Sequence, residues 1–234
     1  MGDTIYSSIL GFYSPRPPLA EVVPLAGRYI PKPGDIVIGT VTDVQGTFWL
    51  LDIGAPRWAP LHMTGTPWAV EIGETDRFLR VRDSVLVRIE SLEQTGRIGV
   101  TMLGEGLGKL EGGTIITISP AKVARAVGRR GSMIQTITRL TGTNVAVGFN
   151  GRIWVDGPPE AIQRVRESLR LIDDEGHRPG LTDRVENYLT ATASTTEDLG
   201  AGPRLPPSHA PTIHDGAPEV EPAEATEPPE PDEY

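Results

Sequence analysis

Cysteine is absent from the 234 residues, which excludes disulfides and thiolate metal sites. Aromatic residues make up only 6 % and hydrophobic residues 38 %, and no window is apolar enough to span a bilayer. The opening Met1-Gly2-Asp3-Thr4 lacks the basic start and apolar run of a secretory signal, so a cytoplasmic protein with no membrane partner is expected. Catalytic signatures are missing too: there is no Walker loop, no GxSxG and no HExxH, and the four histidines are scattered at 62, 177, 209 and 214. His209, His214 and Asp215 lie in a Pro-rich stretch poorly suited to holding a metal. No enzyme activity, cofactor or metal is therefore expected.

Acidic residues are missing from one region and concentrated in another. Residues 197–234 hold ten acids and one Arg, which accounts for the whole net charge of −9 and leaves the remainder neutral. Between Gly112 and Val155 there is no Asp or Glu, while Lys122, Arg125, Arg129, Arg130, Arg139 and Arg152 are present. A local basic field of this kind attracts phosphates whatever the charge of the whole chain.

The spacing of strand and helix signals predicts several small modules. Residues 1–31 read as a partial β domain with strands at Thr4–Leu10 and Val22–Leu25, broken at Ser14-Pro15-Arg16-Pro17-Pro18. Residues 32–104 hold five β-rich runs at Ile36–Val44, Thr47–Ile53, Ala59–Met63, Ser84–Ile89 and Arg97–Met102, with a long polar stretch from Thr64 to Arg80. That pattern predicts a five-stranded OB-fold barrel. Gly104-Glu105-Gly106-Leu107-Gly108 lacks the strand-to-helix setting of a dinucleotide loop and reads as a hinge.

Residues 109–192 read as strand, two short helices, two strands and a long helix, with a further helix at Thr182–Leu189. Ser119 is placed to cap the first helix, Gly142 to end the second, and Asn150-Gly151 to turn the hairpin. The expected fold class is thus multidomain β plus α+β: a short N-terminal β segment, the barrel, a βααββα KH unit, and a disordered acidic tail over 193–234.

Two sets of residues carry chemistry. Gly128-Arg129-Arg130-Gly131 falls between the two short helices, where glycines permit φ > 0 and close approach of a strand. The amides from Ser132 onward and the forked guanidinium groups supply phosphate donors. A GxxG in a βααββα unit is the KH clamp for about four nucleotides, with Lys122, Arg125, Arg139 and Arg152 as its surrounding basic patch. In the barrel, Phe48 and Trp49 are neighbours on one strand, so one can fill the core while the other stacks on a base. His62, Arg57, Arg80, Arg82 and Arg88 are the accompanying candidates.

These residues closely resemble those of the RNA-binding cap subunits of the archaeal exosome. The carriers are Ile5-Tyr6-Ser7-Ser8-Ile9-Leu10-Gly11, Pro24-Leu25-Ala26-Gly27-Arg28-Tyr29-Ile30-Pro31, Gly34-Asp35-Ile36-Val37-Ile38-Gly39 and Trp49-Leu50-Leu51-Asp52-Ile53. They continue with Ile118-Ser119-Pro120-Ala121-Lys122-Val123, Val127 through Ile134, Asn150-Gly151-Arg152-Ile153-Trp154-Val155 and Gly180-Leu181-Thr182-Asp183-Arg184-Val185. The resemblance implies three copies on a hexameric ring of nuclease-fold subunits, capturing single-stranded RNA and passing its 3′ end to a phosphorolytic chamber for degradation or tailing. Residues 1–31 would dock on the ring, and the loop around Arg57 and His62 would face the pore.

Two departures stand out. The family's usual first strand pair is absent, which points to a late start or a reduced docking domain. Gln45 occupies a position where many such barrels carry an aromatic, which predicts weaker stacking there. A bacterial polynucleotide phosphorylase fragment would reverse the module order, and a tandem-KH transcription factor would need a second GxxG. A free-standing regulator of messenger RNA is the alternative reading.

Overall fold

Residues 11–16, 19–24, 27–93, 95–175 and 180–197 are described by a computed structural model of the protein. The strand expected at Thr4–Leu10 and nearly all of the acidic tail lie outside them. Strands β1 (Gly11–Arg16) and β2 (Leu19–Pro24) pair antiparallel, with Arg16 opposite Leu19 and Pro15 opposite Ala20. Ser14-Pro15-Arg16, expected to interrupt the chain, lies within β1. A two-stranded sheet consists of edges, where proline's missing N–H need not break the ladder.

Alternating burial along the next five strands places one face of each inside a closed barrel. These are β3 (Ile36–Val44), β4 (Phe48–Asp52), β5 (Ala59–His62), β6 (Ser84–Leu92) and β7 (Ile98–Thr101). Their order is β3-β4-β5-β7-β6, and pairing of β6 with β3 closes the ring. Only β5 and β7 run parallel among these neighbours. Register shifts at Val41/Asp43 and Ile89/Ser91 supply the local bending that closure demands.

Trp49, Leu51, Leu61, Val87 and Ile89 are fully buried in the barrel core. The indole N–H of Trp49 lies 3.2 Å from both the Thr75 and the Leu79 carbonyls. Together with the Thr75 hydroxyl donating to the Gln45 carbonyl at 2.7 Å, these bonds pin the long segment between β5 and β6 to the barrel. Trp68 and Phe78 stack within that segment, 5.5 Å apart.

The glycine-rich stretch expected to be a hinge leads directly into β8 (Gly108–Leu110), which pairs antiparallel with Ser84–Leu86 of β6. The barrel sheet thus continues to Leu110, and Lys109 reaches Asp83 at 2.9 Å.

The βααββα unit follows. It comprises β9 (Thr114–Thr117), a 3-10 turn at Pro120–Lys122, α1 (Val123–Val127), a 3-10 turn at Arg129–Gly131, and α2 (Ser132–Thr141). Strands β10 (Asn144–Val147) and β11 (Arg152–Asp156) and helix α3 (Pro159–Glu175) complete it. The sheet order is β10-β11-β9, antiparallel throughout. Met133 and Ile137 of α2 and Val165, Leu169 and Ile172 of α3 fill its core.

Gly142, in the left-handed conformation at φ 66°, ends α2 as expected. Ser119 makes no side-chain cap; the chain enters α1 through the 3-10 turn, and the Ser119 amide donates instead to Asp173 Oδ1 at 3.2 Å. Helix α4 (Leu181–Glu197) is longer than the expected Thr182–Leu189, and it adds Leu181, Val185 and Leu189 to the same core.

The turn between β10 and β11 joins this unit to the barrel. The Phe149 amide donates to the Ile36 carbonyl at 2.8 Å, and the Asn150 side chain donates to the carbonyls of Ile38 and Ile53, each at 2.8 Å.

Candidate nucleic-acid interface

The interhelical loop is built by backbone conformations that its sequence permits. Gly128 sits at φ 74°, ψ 177°, where an added Cβ would lie 2.8 Å from the Met133 nitrogen, so glycine is required there. Gly131 is left-handed at φ 80°, and between the two Arg130 is itself left-handed at φ 53°, ψ 30°. A non-glycine residue held in that region stores about 1–3 kcal/mol of strain, a cost associated with ligand clamps. Arg129, Arg130 and Ser132 are all exposed, as is Arg125, with Lys122 half-buried beside them.

The rest of the expected basic patch is dispersed. Arg139, near the far end of α2, faces Glu186 of α4 at 3.6 Å. Arg152 requires a correction: its side chain is 17 % exposed and forms an ion pair with Asp52 of the barrel at 2.6 Å. It also donates to the Asp52 carbonyl at 2.5 Å. The expectation summed charge along the sequence, whereas folding brings a carboxylate from 100 residues away onto this guanidinium. Burial pushes the Asp52 carboxyl up, but the Gly54 amide and the Arg152 guanidinium outweigh it and hold the group below the usual carboxylate range.

On the barrel, strand register decides between the two aromatics. Trp49 is fully buried and belongs to the core, which removes it from the expected RNA-facing set. Phe48 is half-buried and lies directly opposite the exposed His62, while Leu50 lies opposite Pro60. These four, with Pro56, Arg57 and Trp58 from the β4–β5 turn and Gly96 and Arg97 from the β6–β7 turn, enclose an open cavity of about 660 Å³. Trp58 is 61 % exposed, large for an indole. An aromatic and aliphatic floor with a guanidinium rim suits a stacked base and its phosphate.

Trp58 and Arg97 were not anticipated from the sequence. The signal available was a tryptophan in a turn too short to lead it into any core. Arg80, Arg82 and Arg88 do not join this cavity. The Arg80 amide donates to Asp83 Oδ2 at 2.8 Å, and Arg82, at φ 80°, sits in the same tight turn. Burial raises the Asp83 carboxyl, but the Arg80 amide and Lys109 outweigh it and leave the group below its ordinary value. Arg88 lies on β6, opposite Ile36 on one side and Thr101 on the other.

Among the described residues no group of three His, Asp or Glu is placed to hold a metal, and no helix is long and apolar enough to cross a membrane. His209, His214 and Asp215 lie outside them.

A closed five-stranded barrel followed by a βααββα unit with a Gly-Arg-Arg-Gly turn defines a protein of the OB-fold plus KH class. Comparison with known proteins agrees. A family model described as "RRP4, S1 domain" matches residues 28–78, and one described as "KH domain" matches residues 113–161. Exosome complex component Rrp4 of Methanosarcina mazei is 42 % identical over 187 residues, which cover 80 % of this chain and 72 % of that protein. The same component of Thermoplasma acidophilum is 38 % identical over 184 residues, covering 79 % and 78 %. A crystal structure of a protein provisionally assigned as an exosome complex RNA-binding protein is 32 % identical, with a TM-score of 0.65, over 73 % of this chain and 99 % of that one. The chain belongs to the exosome complex component Rrp4 family.

Proposed function

We propose that this protein is the RNA-binding cap subunit of an archaeal exosome, acting in the cytoplasm. It captures single-stranded RNA and guides the 3′ end through the pore of a hexameric, nuclease-fold ring for 3′→5′ degradation or tailing. The subunit itself cuts nothing, and three copies sit on each ring. Residues 32–104 act as the S1-type barrel, 109–192 as the KH module, and 1–31 as the partial docking segment.

The observation that carries this reading is the Gly128–Gly131 loop, where strained Arg130 and exposed Arg129 stand at the start of α2 in an acid-free stretch. In this reading the loop holds phosphates and the barrel cavity holds a base between Phe48 and Trp58, with His62, Arg57 and Arg97 around it. Lys122 and Arg125 extend the phosphate path beside the loop.

Native mass spectrometry of the tagged protein, drawn from its own cells, tests the proposal. The expected result is a particle with three copies on a six-membered ring. A lone chain that still binds RNA would favour a free-standing regulator of messenger RNA.

A further inference from the structure

His62 ends β5, stands directly opposite Phe48 and lines the barrel cavity. Its ring is held through one nitrogen. Nδ1 accepts from the Thr64 amide at 3.4 Å and lies 2.9 Å from the Thr64 hydroxyl, while Nε2 has no hydrogen-bond partner among the described residues. An amide can only donate, so Nδ1 presents its lone pair and the proton of the neutral imidazole sits on Nε2. The hydroxyl, free to rotate, donates to the same nitrogen. With Nδ1 protonated, two N–H groups would face each other and the amide would lose its acceptor.

Thr64 is itself fixed. It is the middle of a 3-10 turn, Met63–Gly65, in which the Met63 amide donates to the Thr47 carbonyl at 3.0 Å and the Gly65 carbonyl accepts from the Met102 amide at 2.7 Å. The Thr66 hydroxyl closes the turn on the Met63 carbonyl at 2.8 Å. Thr47 precedes β4 and Met102 follows β7, the two neighbours of β5, so the barrel holds the donor against the ring from both sides.

The consequence reaches the whole cavity. Its other polar side chains are Arg57, Trp58 and Arg97, which can only donate. The carbonyls of Phe48, Leu50 and Arg97 already accept from the Gln45 amide, the Thr42 hydroxyl and the Glu93 amide. Arg57 lies against the β6–β7 turn, where an added Cβ at Gly96 would be 3.1 Å from its Nε. Histidine is the one lining side chain able to donate or accept, and Thr64 decides which.

We infer that Thr64 is a positioning residue that fixes the His62 proton on Nε2, making the polar side chains of the barrel cavity donors only, so that the site takes a hydrogen-bond acceptor of the RNA: a phosphate oxygen or an acceptor on a base edge. The inference rests on the RNA-binding reading above. A group that only donates would leave the His62 N–H and the guanidinium groups unpaired and is rejected.

The test uses the full chain. Long-range 1H–15N correlation spectra of the histidine rings are recorded without RNA at pH about 8.5, where an ordinary histidine near 6.5 is neutral. H62A identifies the His62 signals among those of the four histidines. The parent should show His62 with its proton on Nε2, and T64V should show a mixture of both tautomers. Binding of an oligoadenylate of about 12 nucleotides, followed by fluorescence anisotropy, should weaken about three- to tenfold in T64V. T64S, which keeps the hydroxyl, should restore both readouts, and T64A should repeat the loss if T64V proves unstable. In the H62A background T64V should add nothing. An oligomer of abasic nucleotides keeps the phosphates: sensitivity to T64V that persists on it assigns the acceptor to a phosphate, and sensitivity that vanishes assigns it to a base.

A parent His62 protonated on Nδ1 would overturn the inference, as would a tautomer shift in T64V without loss of affinity. The same loss from T64V with and without His62 would also overturn it, because Thr64 would then act by another route. If the parent bound no RNA while its His62 proton stayed on Nε2, the RNA reading would fall and the ligand assignment with it, leaving Thr64 only a structural partner of the ring.

Discussion

At the scale of single residues, Phe48 and Trp49 show how strand parity assigns opposite work to neighbours. Trp49 fills the barrel and bonds two carbonyls, so Trp49→Ala should cost about 3–5 kcal/mol, the usual penalty for emptying a large aromatic site. Phe48→Ala should leave the melting temperature near the parent's, yet weaken RNA binding by about 1–3 kcal/mol, the worth of one stacked base. Thermal melting and fluorescence anisotropy on the two variants check the split, and comparable loss of stability in both would refute it. The answer was partly legible in the sequence: Phe48, Leu50 and Asp52 share a parity, and a charge at its end marks that face as outward. Arg152 was not legible, because nothing local to it announces a carboxylate from another module.

Among elements, the Gly128–Gly131 loop sets stability against binding. Gly128→Ala places a Cβ 2.8 Å from the Met133 nitrogen at a φ that L-residues avoid, so both folding and RNA binding should suffer. Arg130→Gly should behave differently. Glycine relieves the left-handed strain, worth about 1–2 kcal/mol, at an entropic cost of about 0.5–1 kcal/mol, so stability should hold or rise slightly. RNA affinity should fall, and its dependence on the logarithm of salt concentration should flatten by about 0.7 as one phosphate contact is lost. Denaturant titration with salt-dependent binding measures both, and an unchanged salt slope would remove Arg130 from the phosphate path. The alternation and periodicity of β3–β7 and α1–α3 made these elements readable in advance. The glycine-rich stretch before β8 was misread because its strand partner is some twenty residues away, and α4 was underestimated because its far end carries few apolar residues.

For the whole molecule, the joint makes cooperativity depend on one carboxylate. The Asp52 carboxyl is held below its unfolded value of about 3.9 by the Gly54 amide and Arg152, against the opposing effect of burial. The stabilisation from this depressed group is therefore complete above the unfolded value and is lost as pH falls through the folded one. Near neutral pH the barrel and the KH unit should melt in one calorimetric transition, because separating them exposes Arg152 and the bonded Asn150. As pH falls through the folded value the ion pair weakens and the transition should broaden or split. Acid also titrates other carboxylates, Asp83 among them, so pH alone is ambiguous. Asp52→Asn at neutral pH removes the charge while leaving every other group ionised as before, and it should reproduce the splitting. If D52N melted in a single transition as sharp as the parent's, the two modules would be coupled through the Asn150 bonds and the β8 pairing, and the ion pair would be dispensable to cooperativity.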